Sequence, residues 1–383
     1  MINTLEIRKK DIKMVIKSLD ITPTMFKNAE EKYKNISTFL NKNGLSVDIS
    51  LQGSFAIGTA IKPYSQGIDK SYDIDVICVF NDKKIQAQEA RERLLSALND
   101  SEVYGDKITE WPKCLTLDYA KIGNYDFSID LVPTRRKEGG TLVSSDNSFY
   151  FTDILEIAIK EKEYDWYTIN PKGYRKWFDD INKKFALYNR EFRMNQLFED
   201  NKHIFNKVED IPEYFNKSAL QEAIQILKRS RDVYFSKIKD DDSKPASIII
   251  TTFAALTAKN CPENIDSVDL ALRIINDLQI YSRKEIFEKM DSPIINYDGK
   301  WKFLNPVNLE DNLLDSWNKN KSVSKKFFEW VEKAKKDLNE IISKENINHI
   351  EILGNSFGNE VVNKVFGREK VEEINHGVKP YHD

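Results

Sequence analysis

The chain has 383 residues, 40% of them hydrophobic and 31% charged, which is apolar material for two or three domains and too much for wholesale disorder. Lysine and arginine number 58 against 61 acids, a formal charge of −3, so no global positive field marks a general nucleic-acid coat, although a local basic cleft is compatible with it. Three cysteines without a CxxC pair and four histidines without an HExxH or HxxxH pair argue against a disulfide framework and against zinc-finger, ribbon or zincin sites.

The opening MINTLEIRKKDIK has no apolar h-region. The longest weakly polar run, Ser247 to Ala258, falls short of the roughly 20 residues that a membrane span needs. A reduced, cytoplasmic protein without membrane attachment is the expectation. Residues 14 to 43 carry helical periodicity, with Val15, Ile16, Leu19, Phe26, Ala29, Tyr33 and Ile36 at helix-like steps. After Gly44, residues 46–51 alternate polar and apolar like a strand, which Gly53-Ser54 breaks. A loop containing Pro63, Ser65, Gly67 and Asp69 leads to the β-branched run from Asp73 to Phe80, read as a central strand. Helix returns from Gln86 to Leu98. Two more strands follow, Cys114 to Ala120 and Tyr125 to Val132, joined by a turn at Ile122-Gly123-Asn124. Beyond Thr152 the chain reads as mostly helical, with helices at 172–188, 219–238, 246–258, 268–278 and 309–342. The fold class is therefore α+β: a lobe at 1–165 holding a small mixed sheet and the N-terminal helix, packed on a larger helical lobe at 166–383, with a ligand cleft between them.

On the central strand the period of two sends Asp73 and Asp75 to one face and the apolar Ile74, Val76, Cys78 and Phe80 to the other. Two adjacent like charges repel, and divalent cations relieve that cost. Asp130 lies on the later strand and completes a three-carboxylate cluster if the two strands neighbour each other. Oxygen-only ligands suit Mg²⁺ or Mn²⁺, and two such ions about 3.5–4 Å apart activate an attacking hydroxyl and steady a leaving pyrophosphate. DxD is by itself a common tripeptide of solvated loops. Its setting in an apolar strand is what gives it weight here. Gly53 and Ser54 end a strand in a turn suited to an anion, glycine allowing a phosphate to come close to the backbone.

QGSFAIGTAIKP, then YDIDVICVF, then DFSIDLVPTRR resembles the core of the DNA polymerase β-like nucleotidyltransferases. Within that superfamily the chain is most similar to the bacterial cGAS/DncV-like nucleotidyltransferases of antiphage signalling systems. The resemblance continues through residues 166–178, 219–232, 244–248 and 305–317. It implies a synthase that joins NTPs, with release of pyrophosphate, into a cyclic di- or trinucleotide second messenger. It further implies triphosphate contacts at Gln52, Gly53 and Ser54, both metals at Asp73 and Asp75, and the catalytic metal at Asp130. Lys228 and Ser247 match positions that reach the triphosphate from the helical lobe. NTPs are the implied substrates, an effector protein is reached through the cyclic product, accessory regulators are in keeping with the family, and the chain is expected to be a monomer.

The helix at 219–238 has an apolar stripe of Leu220, Ile224, Leu227, Tyr234 and Ile238. Arg231 falls on that stripe, so its partner is either a nucleotide phosphate or an internal salt bridge. Asn305 is a candidate contact near the nucleotide, although Asn-Pro is also a routine turn. The lysine pairs at 9–10, 183–184 and 325–326 and the run at 333–336 read as solvated helix faces. Trp317, Trp330 and Phe327-Phe328 read as helical-lobe core. Two other functions fit the same residues: a nucleotidyltransferase that tails RNA or AMPylates a protein, and a nucleotide-binding module without chemistry. The near-neutral charge and lack of a zinc ribbon weigh against a long nucleic-acid substrate, and the three acids weigh against a silent module.

Overall fold

The computed structural model describes residues 4–118, 127–137, 154–160, 163–200, 217–282, 292–343 and 348–367. The turn at 122–124 and the tail beyond Gly367 lie outside them. The helical stretch expected at 14–43 is two helices, α1 (Thr4–Ser18) and α2 (Pro23–Lys42). They divide because Thr22 caps α2, its hydroxyl accepting from the Met25 N–H, and Pro23 takes the first helical turn, where its missing N–H costs nothing. β1 (Val47–Leu51) follows, then the single turn α3 (Gly53–Ala56), the small hairpin β2 (Tyr64–Ser65) and β3 (Ile68–Asp69), β4 (Tyr72–Phe80) and α4 (Ala87–Asn99). β5 (Ile108–Glu110), β6 (Leu115–Asp118), β7 (Phe127–Arg136), β8 (Leu155–Lys160) and β9 (Tyr164–Ile169) complete the main sheet.

That sheet is mixed, in the order β1-β4-β7-β6-β5, with β8 joining β7 and β9 joining β8. β4 and β7 are parallel, and their other neighbours are antiparallel. β7 runs past the end expected at Val132 and carries Pro133 inside it. Proline is tolerated there because β6 pairs with residues 128–131 of β7 and β8 takes over at 134. One face of the sheet carries Ile74, Val76, Cys78, Phe80, Ile129 and Leu131 against Met25, Ile36 and Leu40 of α2 and Leu94 and Leu98 of α4. The opposite face bears the acids at one end and Ile77 and Val79 at the other, packed on Leu155.

The remaining helices are α5 (Pro171–Asp200), α6 (Ala219–Lys237), α7 (Ser247–Lys259), α8 (Ser267–Ile280), α9 (Asp315–Lys319), α10 (Lys321–Ile342), α11 (His349–Phe357) and α12 (Asn359–Phe366). Two small hairpins, β10 (Ile295–Tyr297) with β11 (Lys300–Lys302) and β12 (Leu304–Asn305) with β13 (Asn308–Asn312), lie between α8 and α9. Their side chains form a second core around Phe178, Leu220, Ile224, Leu227, Phe253 and Trp330. Trp317 and Phe327 are fully buried in it, their rings 4.8 Å apart. No helix among the described residues is long and apolar enough to cross a membrane.

Four expectations are corrected. The helix expected at 309–342 starts only at Asp315, because asparagines tie 303–314 into a hairpin and turn: Asn312 accepts from the Phe303 and Leu314 N–H groups, and Asn320 caps α10. The stretch beyond Thr152, read as mostly helical, opens instead with the antiparallel strands β8 and β9. Ile238 ends the α6 stripe exposed at the C-cap. Lys9 is buried, its ammonium 2.7 Å from Asp269, and is no solvated helix-face residue.

Candidate active site

The parallel register of β4 and β7 pairs Asp73 with Ser128 and Asp75 with Asp130. The antiparallel register of β6 sets Thr116 opposite Asp130 and Asp118 opposite Ser128. Strands lie about 4.8 Å apart, so the three acids stand on one patch of one sheet face. The Ser128 hydroxyl donates to Asp73 Oδ1 at 2.6 Å, and the Thr116 hydroxyl donates to Asp130 Oδ1.

All three carboxyls are held above the ordinary carboxylate range. Burial and the neighbouring charges of Asp130 and Asp73 push Asp75 up to about 7, against the pull of Lys228. Burial also raises Asp73, opposed by the Ser128 hydrogen bond and helped by Asp130. Burial raises Asp130, opposed by hydrogen bonds from Thr116 and Cys114. The cluster favours a partner that brings positive charge.

Gly53 abuts this cluster. Its φ is +65°, and a Cβ there would stand 2.0 Å from Asp75 Oδ2. Only glycine fits both the backbone and the space. The Gln52 N–H donates to the Asp75 carbonyl at 2.9 Å, locking the turn to β4. The start of α3 therefore sits directly beside the acids.

The other wall comes from α6 and α7. Lys228 is buried, its ammonium donating to the Thr59 carbonyl at 3.0 Å. Burial, with Arg231 nearby, lowers it to about 8, while Asp232 and Asp75 oppose the shift. Arg231 has the internal salt bridge: its Nε and one terminal nitrogen donate to Asp232 Oδ1 at 2.9 and 2.7 Å. Its other nitrogen donates to the Pro245 carbonyl at 2.9 Å and the Ser247 hydroxyl at 3.0 Å. Asn305 spans its own turn, donating to Asp311 at 2.9 Å and accepting from the Val307 N–H at 3.1 Å.

Gln52, Gly53, Ser54, Asp73, Asp75, Asp130, Lys228, Arg231, Ser247 and Asn305 all line one cleft of about 630 Å³ between the sheet and the helices. Tyr174 and Arg175 of α5 and Lys244 line it too. Sequence reasoning missed Ser128 and Thr116. Ser128 stands two residues before Asp130 on the same strand face, a spacing that was available as a signal. Thr116 becomes visible only once β6 is registered on β7.

The donor set fits a hard divalent cation. The three acids offer only oxygen, and no lysine or arginine among the described residues forms a salt bridge with them. As placed, the described side chains do not close into a ready-made ligand cage. Their mutual repulsion is what such a cation would relieve.

Residues 8–182 match the Second Messenger Oligonucleotide or Dinucleotide Synthetase domain family. A c-di-GMP synthase of Roseivirga ehrenbergii is 26% identical over 359 residues, 89% of this chain and 81% of that protein. The Bradyrhizobium diazoefficiens CD-NTase CdnG, solved with GTP, superposes with a TM-score of 0.69 at 18% identity, covering 94% of this chain and 98% of that one. Escherichia coli MS115-1 CdnC, solved with ATP, gives 0.58 at 13% identity, covering 91% and 97%. The last two likenesses are of fold.

Proposed function

We propose that the chain is a nucleotidyltransferase of the bacterial cGAS/DncV-like kind, which joins NTPs into a cyclic dinucleotide with release of pyrophosphate; the match of residues 8–182 to the synthetase domain and the likeness to a c-di-GMP synthase support this reading. The observation that carries this reading is the register pairing of Asp75 with Asp130, with Gly53 pressed against Asp75.

In this proposal the donor triphosphate lies along Gln52, Gly53 and Ser54, faced by Lys228 and Ser247 from the helical wall. Arg231 acts indirectly, by holding Ser247 and Asp232 in place. Asn305 shapes the far rim through Asp311. Asp73 and Asp75 would hold two Mg²⁺ or Mn²⁺ ions and Asp130 one of them, supplying positive charge to the phosphoryl oxygens and the leaving group. A ribose hydroxyl attacks the α-phosphorus, the bond to the bridging oxygen breaks, and pyrophosphate departs. In this reading Asp130 would take the hydroxyl proton. A second transfer of the same kind closes the ring. The relative's c-di-GMP activity makes GTP the first substrate to try. The product serves an effector protein in cytoplasmic antiphage defence.

Purified protein with Mn²⁺ or Mg²⁺ and mixed NTPs should release pyrophosphate and a phosphatase-resistant product identifiable by mass spectrometry. Asp75→Asn should reduce turnover at least about 100-fold. Binding of nucleotide and metal without product from any NTP mixture would sink the synthase assignment, and label from ATP incorporated into RNA or protein would replace it.

A further inference from the structure

The segment from Ile57 to Lys62 has no regular structure, yet five of its carbonyls are held by side chains at the start of α6 and along one side of it. Gln221 Nε2 donates to the Ile57 carbonyl at 3.0 Å, Lys217 to Gly58 at 2.8 Å, and Lys228 to Thr59 at 3.0 Å. Gln225 Nε2 donates to Ala60 at 2.7 Å, and Arg229 to Lys62 at 3.0 Å. Positions 217, 221, 225 and 228/229 recur at one helical face. The donors therefore form a rail, and the strap lies along it carbonyl by carbonyl. A buried carbonyl without a donor costs more than an average hydrogen bond gains, so this matching fixes the strap firmly.

The strap closes the turn that bears Gly53 and Ser54. The Thr59 N–H donates to the Ser54 carbonyl at 2.9 Å, and the Gly58 N–H to Phe55 at 3.4 Å. Gly58 has a φ of +69°, and a Cβ there would come within 2.4 Å of Gln221 Nε2. The second glycine of QGSFAIG thus has its own reason: it admits the rail.

We propose that Gln221 and Gln225 are positioning residues for the triphosphate turn, holding Gly53 and Ser54 in a nucleotide-ready place from the helical side of the cleft. The inference rests on the nucleotide reading given above. Neither glutamine lines the cleft. Each acts through Ile57 or Ala60, so binding energy need not be spent ordering the turn when the nucleotide arrives.

The test uses the full chain with Mn²⁺ and a non-hydrolysable GTP or ATP analogue, followed by calorimetry and amide hydrogen exchange. Gln221→Met and Gln225→Met keep side-chain length and remove the strap donors, together with the cap that Gln221 gives the Ser218 N–H and the bond from Gln225 to Asp20; Gln221→Glu, which keeps the cap and loses the donor, separates the two effects and should behave like Gln221→Met. Ser236→Ala is the control: it gives up the Ser236–Gly67 bond on the same helix but away from the strap. Each methionine variant should speed exchange at residues 53–61 and weaken nucleotide binding by up to about tenfold, one neutral hydrogen bond's worth. KM should rise with kcat within about twofold, because only ordering of the turn is lost. Ser236→Ala should bind like the parent. Parent-like binding by both methionine variants, or equal weakening in Ser236→Ala, would overturn the proposal, the latter because it marks a general loosening between the lobes. A parent chain that binds no nucleotide would be a different result: it would remove the function first, and this role with it.

Discussion

Asp75 is where the cleft's electrostatics converge: burial, Asp130 and Asp73 raise its pKa to about 7 and Lys228 opposes them. In the folded, metal-free protein the carboxyl holds its proton more tightly than in the unfolded chain, where it titrates near 3.8. Between those values unfolding releases a proton, so this group's contribution to stability falls as pH rises from 3.8 to about 7 and is flat above. Asp75→Asn should therefore match the parent near pH 4 and melt higher by about 2–3 °C at pH 8, without metal. Saturating Mg²⁺ should shrink the gap or reverse it. Melting curves that keep one offset at every pH would show that Asp75 ionises normally. At this scale the sequence was readable where strand alternation alone placed a side chain, as for Asp73 and Asp75. Asp130 joins them only through strand neighbourhood, which alternation does not encode, and the β4–β7 register pairs it directly with Asp75. Arg231 stayed open between phosphate and salt bridge because no periodicity says that Asp232, the very next residue, turns back to meet its guanidinium.

The turn α3 has only four residues, and its place is set from both sides: the Gln52 N–H on β4 at one end, the strap on α6 at the other. Gly53→Ala tests that element. The added methyl would meet the Asp75 side chain rather than backbone, so the fold survives only with the carboxylate displaced from its place in the cluster. The left-handed backbone adds about 1–2 kcal/mol of strain. Because an ångström of misplacement costs about 100-fold, activity should drop by that order while the far-UV spectrum is unchanged. Retention of parent-like turnover would mean that Asp75 is not needed where it stands. Elements with a clean period were legible, as β4, α4, α7 and α8 were. β8 and β9 were not, although Leu155, Ile157 and Ile159 alternate, because they sit inside a stretch of helical composition and their pairing partner is distant in sequence. The start of α10 was misplaced because the asparagine hydrogen bonds that hold 303–314 have no hydrophobic signature.

Chain order and spatial order part company at the N-terminus. α1 comes before the sheet in sequence, yet Ile12, Val15, Ile16 and Leu19 are buried in the helical core with Leu220, Ile224 and Leu270, and Lys9 and Lys13 pair with Asp269 and Asp266 beside α8. α2, only a few residues later, packs on the sheet through Met25, Ile36 and Leu40. Amphipathic periodicity shows that a helix has a buried face but not which of two cores receives it, so this partition was invisible from sequence. The two cores are therefore expected to lose protection separately, with α1 following the helical one. Ile12→Ala and Ile36→Ala, both at fully buried positions, should each cost about 2–5 kcal/mol. They should differ in where the cost appears under native-state amide exchange: Ile12→Ala should lower protection first in α6 and α8, Ile36→Ala first in β1 and β4. Loss of protection in β4 and β7 on Ile12→Ala, equal to that in α6, would mean that the two cores open as one cooperative unit and that the cleft lies inside a single body rather than between two.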